Sequence, residues 1–328
     1  MSLSVSNSEI SGITVCVPKR RIKISNLKKD LKDFIKHTGV KSIYSDSRLN
    51  TSELCISASK KLINGLKWKK SSIGFIIFVS QTRDHILPQT SCKIQESLNL
   101  DKKILTLDIP MGCSGFVNGL YLSFLLSVNL KKNGLLLCGD VVSKLIDKKQ
   151  EKMKYLFGDS GSAIGIKYNA KNKNKNYFNF GTDGSGSKHL IYQSSGINFF
   201  LTNNFLKMDG AKIFEFALNK VPTQVEDILR ESKNNIKDIN YVIFHQANKF
   251  LLKTLSEKIG FKKNNVLYSI HKYGNTNSAS IPITMFENYN KLKNKKILIS
   301  GFGVGLTWSS GIIDFGRLKY KKLIKYFK

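Results

Sequence analysis

Apolar residues along the chain follow two different rhythms. Short continuous runs rich in Ile, Val, Leu and Phe predict buried strands at Ile73–Val79, Ile104–Ile109, Leu135–Cys138, Tyr241–Phe244 and Ile297–Ser300. Between them, apolar positions recur at helical spacing. They predict helices at Glu53–Leu66, Thr90–Leu98, Phe116–Leu130, Phe205–Leu218 and Lys249–Ile259. Alternation of strands and helices predicts an α/β architecture with sheets covered on both faces. The most polar stretch, Tyr168–Tyr177, is rich in Lys and Asn and predicts an exposed connection near mid-chain.

That connection divides two halves that read as variants of one plan. Cys113 to Gly139 and Asn275 to Gly301 span 139 − 113 and 301 − 275, both 26 residues. The offset between the halves is 162 in each case, from 275 − 113 and 301 − 139. We expect a duplicated βαβ plan, with residues 1–170 carrying one half and 171–328 the other. Loops at equivalent strand ends should then meet, and ligand sites of parallel α/β sheets lie outside the carboxyl ends of the strands.

Composition narrows the class. With 328 residues, 41% hydrophobic and 23% charged, the chain can bury a large core and is not globally disordered. No stretch approaches about 18 uninterrupted apolar residues, so no membrane span is expected. The 53 basic residues exceed the 23 acidic by 30. Much of that excess is scattered Lys, and it also favours anionic partners. Nucleic acid is a poor fit, because no recognised binding motif occurs. The five cysteines form no C-x-x-C pair, and the segment from Met1 to Val5 lacks the blocks of a signal peptide. Free thiols in a reducing cytoplasm are expected. The basic end of the chain, Gly316–Lys328, reads as a solvated helix.

Four segments carry candidate chemistry. In Asp108-Ile109-Pro110-Met111-Gly112-Cys113-Ser114-Gly115-Phe116, a strand runs through a Gly-flanked cysteine into an apolar helix. A helix N-terminus favours thiolate, the nucleophile that acyl transfer through a thioester needs. The competing reading is a small buried residue at a strand–helix junction. His245-Gln246-Ala247-Asn248 follows the strand Tyr241–Phe244 and puts a histidine at a strand's carboxyl end. Gly274-Asn275-Thr276 is a turn whose asparagine could donate its amide to a carbonyl or simply cap a helix. Gly301-Phe302-Gly303-Val304-Gly305 spaces glycines so that backbone N–H groups can face a ligand. It is no dinucleotide fingerprint, because Leu306 stands at the sixth position. No P-loop or metal-ligand spacing is present. Gly158-Asp159-Ser160-Gly161 matches the nucleophile segment of all-β serine proteases, a class the alternating pattern excludes. We read Ser160 as a structural turn residue. His271 lies near the Asn275 loop and is read as structural.

Together these segments resemble the thiolase superfamily, and within it the β-ketoacyl-acyl carrier protein synthase III family. The likeness runs over nearly the whole chain. It is carried by Gly112-Cys113-Ser114-Gly115-Phe116, Phe157-Gly158-Asp159, His245-Gln246-Ala247-Asn248, Gly274-Asn275-Thr276 and Gly303-Val304-Gly305-Leu306-Thr307-Trp308, in that order. The resemblance implies a layered αβαβα fold and a Cys-His-Asn triad at Cys113, His245 and Asn275. It also implies an oxyanion hole from the N–H groups of Cys113 and Val304.

The implied reaction loads an acyl group from a thioester onto Cys113 and condenses it, with loss of carbon dioxide, with malonyl-carrier protein. The implied partners are an acyl carrier protein, acyl-CoA, a malonyl thioester and a second copy in a homodimer. No cofactor or metal is implied, since CoA or carrier-protein thioesters are substrates. A related activity would pass the acyl group to an alcohol, amine or water without decarboxylation. Several positions depart from the family pattern. Val304 replaces the middle glycine of a Gly-Gly-Gly turn. Phe34 and His37 stand where Trp and Arg help hold CoA, and Phe250 where an Arg follows Asn248. Leu87 stands where Phe shapes the acyl pocket. We therefore count Phe34, His37, Leu87, Asn248 and Phe250 as candidate substrate-binding positions and expect a specialised relative.

Overall fold

The computed structural model describes residues 3–24, 31–147, 149–192 and 205–327. In the first half the strands are β1 (Leu3–Val5), β2 (Ser8–Pro18), β3 (Arg21–Lys23), β4 (Ser42–Tyr44), β5 (Ile73–Val79), β6 (Leu105–Ile109), β7 (Asn133–Asp140) and β8 (Ser160–Tyr168). In the second they are β9 (Asn176–Thr182), β10 (Leu190–Tyr192), β11 (Leu206–Met208), β12 (Tyr241–Phe244), β13 (Lys295–Gly303), β14 (Thr307–Phe315) and β15 (Tyr320–Tyr326). Two large sheets form, in the orders β15-β2-β8-β7-β5-β6 and β1-β9-β14-β13-β12.

The duplicated plan is visible in the pairing. In the first sheet β5 runs parallel to β6 and β7, and β8 returns antiparallel between β7 and β2. In the second, β12 runs parallel to β13, and β14 returns antiparallel between β13 and β9. Val266 makes a lone parallel bridge to Val242 on the flank of β12, where β6 lies beside β5. Each sheet also borrows an edge. β1 pairs with β9, and β15 pairs with β2.

Helix composition follows layer. Helix Gly115–Leu130 touches strands of both sheets, and Phe116, Val117, Leu120 and Phe124 on it are buried. A helix between two sheets has no wet face, which is why its sequence is apolar nearly all round. Helix Thr51–Leu66 covers the outer face of the first sheet. Helices Gly210–Glu231 and Lys249–Ile259 pack on each other, and Gly210–Glu231 packs on β9, β13 and β14. Each of these outer helices is polar toward solvent, so the architecture is αβαβα.

Three sequence expectations change. The helix expected at Phe205–Leu218 begins at Gly210 and runs to Glu231. Asp209 caps it, its carboxylate accepting from Lys212 N at 3.0 Å, and Leu206–Met208 pairs as a strand with Leu190–Tyr192. The cap fixed the start where apolar spacing alone could not. The basic tail is the strand β15 rather than a helix. Gly65 leaves a seat for the Tyr320 ring, and Leu323 and Ile324 turn toward the core. Its lysines lie along an exposed edge, where charge discourages further strand addition. Ser160, expected in a turn, is the first residue of β8.

Candidate active site

Cys113 lies in the turn between the end of β6 and helix Gly115–Leu130. Close packing against β13 needs glycines there. A Cβ on Gly301 would stand 2.4 Å from the Cys113 carbonyl oxygen, and one on Gly303 2.7 Å from Cys113 Sγ. Ser114 Oγ reaches Thr307 Oγ1 at 2.7 Å, and Ser309 Oγ donates to Ser114 O at 2.9 Å. The cysteine turn of the first half is thus fastened to β13 and β14 of the second.

His245 continues from β12, its N–H donating to Ser300 O at 2.7 Å. The ring is buried, edge-on to Phe302, with Nδ1 2.8 Å from Ser280 Oγ. Burial holds its pKa down at about 3, against a weaker opposing pull from a backbone hydrogen bond with Asn277. The imidazole is therefore neutral throughout the physiological range. Two other residues of the motif make anchoring hydrogen bonds. Gln246 Oε1 accepts from Ser269 N at 2.9 Å, and Asn248 Oδ1 caps helix Lys249–Ile259 through Leu251 N at 2.8 Å.

Asn275 is held by its own backbone: its N–H donates to Leu156 O at 2.8 Å, and its carbonyl accepts from Gly158 N at 3.0 Å. Phe157-Gly158-Asp159 is the brace of this loop, because a Cβ on Gly158 would stand 2.1 Å from Tyr273 O. The Asp159 carboxylate accepts from Asp46 N and from the N–H and hydroxyl of Ser143, and burial raises its pKa. Asn275 Oδ1 accepts from Asn277 N at 2.9 Å, which leaves its amide nitrogen as the free donor end.

Asn277 is the common neighbour. Its Oδ1 accepts from Cys113 Sγ at 3.3 Å, its N–H meets Asn275, and its backbone meets His245. Sequence reasoning did not select it, nor Gln81, whose Oε1 accepts from Asn277 Nδ2 at 3.0 Å. It also passed over Asp140. That carboxylate is fully buried and accepts from Gln81 N, Thr82 and Ser278. An aspartate closing the buried run Leu135–Cys138 was the available signal, since a buried carboxylate demands partners.

The expectation of a thiolate favoured by the helix needs correction. Burial, reinforced by the Asp140 charge, pushes the Cys113 thiol up to about 12, while the N–H groups of Val304 and Cys113 pull it down. The resting group is a thiol. Those two N–H groups lie close enough to the sulfur to lower its pKa, and Val304 keeps a negative φ; the positive angle falls on Gly305, at +137°. A cavity of about 670 Å³ opens beside them, lined by Gln81, His85, Pro110, Tyr192, Val304 and Gly305. That volume suits a small-molecule acyl group.

The remaining candidates fall in two places. Helix Lys32–Thr38 packs on the start of helix Lys249–Ile259, with Gly39 against Lys249, so Phe34, His37, Asn248 and Phe250 share one region. Phe34 is half-buried among Ile24, Leu31 and Ile43. His37 is exposed with Nδ1 on Asp33 O, and Phe250 is exposed and stacks on Phe214 at 5.7 Å. Leu87 stands apart and is 84% exposed. Among the described residues no cluster of His, Cys, Asp or Glu could hold a metal, and no helix is long and apolar enough to cross a membrane.

The depressed pKa of His245 gives a stability test. On acidification the unfolded chain takes up this proton first, so the contribution is intact above about pH 6.5 and is lost as pH falls toward 3. Asp140, raised to about 6, acts oppositely, because there the folded state binds the proton first. His245→Gln should therefore abolish about 2 kcal/mol of the wild-type stability loss between pH 6.5 and 5. Denaturant melts at the two pH values measure it; equal acid losses in both proteins would refute the buried neutral imidazole.

Sheet order, layering and a cysteine turn packed between duplicated halves define a thiolase-type fold. The family described as 3-oxoacyl-[acyl-carrier-protein] synthase III matches residues 107–184, and its C-terminal counterpart matches 229–315. The β-ketoacyl-[acyl-carrier-protein] synthase III of Campylobacter curvus is 32% identical, covering 94% of this chain and 97% of its own length. That of Clostridium perfringens is 30% identical, covering 94% and 99%. The crystal structure of a 3-oxoacyl-(acyl-carrier protein) synthase from Burkholderia xenovorans superposes with a TM-score of 0.93 at 32% identity, over 99% of each chain. The chain belongs to the 3-oxoacyl-[acyl-carrier-protein] synthase III family, a family of condensing enzymes.

Proposed function

We propose that the protein is an acyltransferase that condenses an acyl group, loaded on Cys113, with a malonyl thioester carried by an acyl carrier protein. The observation that supports this reading is that the Cys113 sulfur, the neutral His245 imidazole and Asn275 all meet one residue, Asn277, beside a cavity lined by Val304 and Gln81. Cys113 thiolate attacks the acyl thioester carbon, and the oxyanion accepts from the N–H groups of Cys113 and Val304. The donor's C–S bond breaks and its thiolate leaves, taking up a proton that replaces the one Cys113 gave up to solvent. In the second stage the malonyl C–C bond breaks, carbon dioxide departs and an enolate remains. Ser280 Oγ accepts from Gln246 N at 3.4 Å, so its hydrogen is available to His245 Nδ1. That arrangement favours the tautomer with hydrogen on Nε2, ready to donate to the enolate oxygen together with the Asn275 amide. The carbanion then attacks the acyl-cysteine, expelling the thiolate and releasing a 3-oxoacyl thioester. Purified protein given acyl-CoA and malonyl-carrier protein should release carbon dioxide in step with 3-oxoacyl product. Acyl loss to water without carbon dioxide would refute the condensation.

A net charge of +30 favours an acidic carrier. The replacements at Phe34, His37, Leu87 and Phe250 support a specialised donor rather than a generic one. The five free cysteines fit a reducing cytoplasm. A homodimer is supported by the open edge of β6. There Leu105 and Leu107 are 43% and 39% exposed on one face. An apolar unpaired edge invites strand addition. The double variant Leu105→Glu, Leu107→Glu should sediment as a monomer where wild type sediments as a dimer; an unchanged dimer refutes this edge as the interface.

A further inference from the structure

Two amides stand in series behind the sulfur. Cys113 Sγ donates to Asn277 Oδ1 at 3.3 Å, and Asn277 Nδ2 donates to Gln81 Oε1 at 3.0 Å. Three features show that this placement is built. Asn277 holds a left-handed backbone, φ +49°, which directs its side chain at the sulfur. A Cβ on Gly112 would stand 2.3 Å from Gln81 Oε1 and 2.5 Å from Asn277 Oδ1, so glycine there is what lets the pair approach. The buried Asp140 carboxylate grips the chain on both sides, accepting from Gln81 N at 2.8 Å and from Ser278 Oγ at 2.6 Å.

A thiol donates a hydrogen bond and a thiolate can only accept. A carboxamide offers both roles at opposite ends. A half-turn of each amide keeps the Asn277–Gln81 link, now from Gln81 Nε2 to Asn277 Oδ1, and presents Asn277 Nδ2 to the sulfur. Gln81 lines the cavity and has room for that turn. The geometry points to Asn277 as a further catalytic residue, with Gln81 positioning it: Asn277 accepts a hydrogen bond from the resting thiol and donates one to the thiolate that attacks. This inference builds on the nucleophile assignment above but not on the identity of the substrate. It also gives the Asp140 network a task, because that carboxylate fixes the two chain segments whose amides must stay in register.

The test reads the sulfur directly. Iodoacetamide reacts with thiolate, forming an S–C bond and expelling iodide, while the thiol proton passes to buffer. In a Cys92→Ser background, which removes the exposed thiol, modification of Cys113 is followed by peptide mass spectrometry at pH 8.5. Asn277→Gly keeps a left-handed backbone accessible and removes the amide. Asn277→Asp keeps the shape and removes the donor. Both should alkylate at least tenfold more slowly than the parent, a change expected from losing one charge-assisted hydrogen bond. Gln81→Met should slow it to a smaller extent, and melting temperatures report whether each variant folds. Rates for folded Asn277→Gly and Asn277→Asp within threefold of the parent, or faster, overturn the proposal. Slower rates support it, whether or not acyl thioesters prove to be the substrate. A parent Cys113 that never reacts overturns both this pairing and the nucleophile assignment.

Discussion

After incubation with an acyl-CoA, the wild-type chain should gain one acyl mass and Cys113→Ala should gain none. The distinction is sharp because the other thiols are differently placed. Cys16, Cys55 and Cys138 are buried, and burial raises all three pKa values. Cys92 is exposed but lies on helix Thr90–Ser97. Only Cys113 combines partial exposure with two backbone N–H groups close to its sulfur, those of Val304 and Cys113. With its thiol near pKa 12, about one sulfur in ten thousand is ionised at pH 8. The rate therefore depends on groups that stabilise the thiolate as it forms, and no neighbouring side chain replaces the nucleophile once sulfur is gone. Turnover in Cys113→Ala should fall by a factor on the order of 10⁴–10⁶. Cys92→Ser should retain the adduct. An undiminished mass gain in Cys113→Ala would mean that the acyl group resides elsewhere.

What the sequence disclosed, and what it hid, follows from the range of the forces involved. Strands such as Ile73–Val79 and Tyr241–Phe244 appear at their expected limits, because a strand buried on both faces is a continuous apolar run bounded by polar residues. Cys113, His245 and Asn275 each sit in a turn with local glycine or strand-end chemistry, so each could be picked out singly. The duplication predicted that their loops approach one another, and all three contact Asn277. Asn277 itself gave no local signal. Its partners lie 164 and 196 residues away in sequence, and nothing near it distinguishes a ligand-facing amide from a cap. Asp140 was hidden likewise, since its meaning depends on Ser278, 138 residues further on. The tail was misread because alternation of Lys with Tyr, Leu and Ile is decided by whether a sheet edge is open, and that edge belongs to β2 at the other end of the chain. The raised thiol pKa could not be inferred either. A helix N-terminus is a sequence-level feature, whereas desolvation by two sheets is a property of the assembled fold.

His245→Ala and Asn275→Ala should keep the acyl adduct yet lose condensation, each by about 10²–10³ in turnover, the range for removing one donor to a developing oxyanion. The two stages separate because they use different donors. In the proposed mechanism acyl loading draws on the N–H groups of Cys113 and Val304, which neither substitution removes. In the proposed second stage, decarboxylation needs donors to the enolate oxygen, and these are a neutral His245 through Nε2 and Asn275 through its amide nitrogen. The backbone of Asn275 is pinned by Leu156 and Gly158, so truncation should leave the loop in place. Truncation also removes the acceptor for Asn277 N, and Asn275→Asp controls for this by retaining an oxygen there while losing the donor. Its carboxylate would in addition repel the enolate, so its condensation rate should fall below that of Asn275→Ala. Because both donors serve one oxygen, the double alanine variant should lose less than the product of the single losses. Single-turnover mass spectrometry for the adduct, alongside carbon dioxide release from malonyl-carrier protein, reads the two stages in the same sample. A His245→Ala protein that fails to acylate would reassign the imidazole as the base that deprotonates Cys113 and remove it from the second stage.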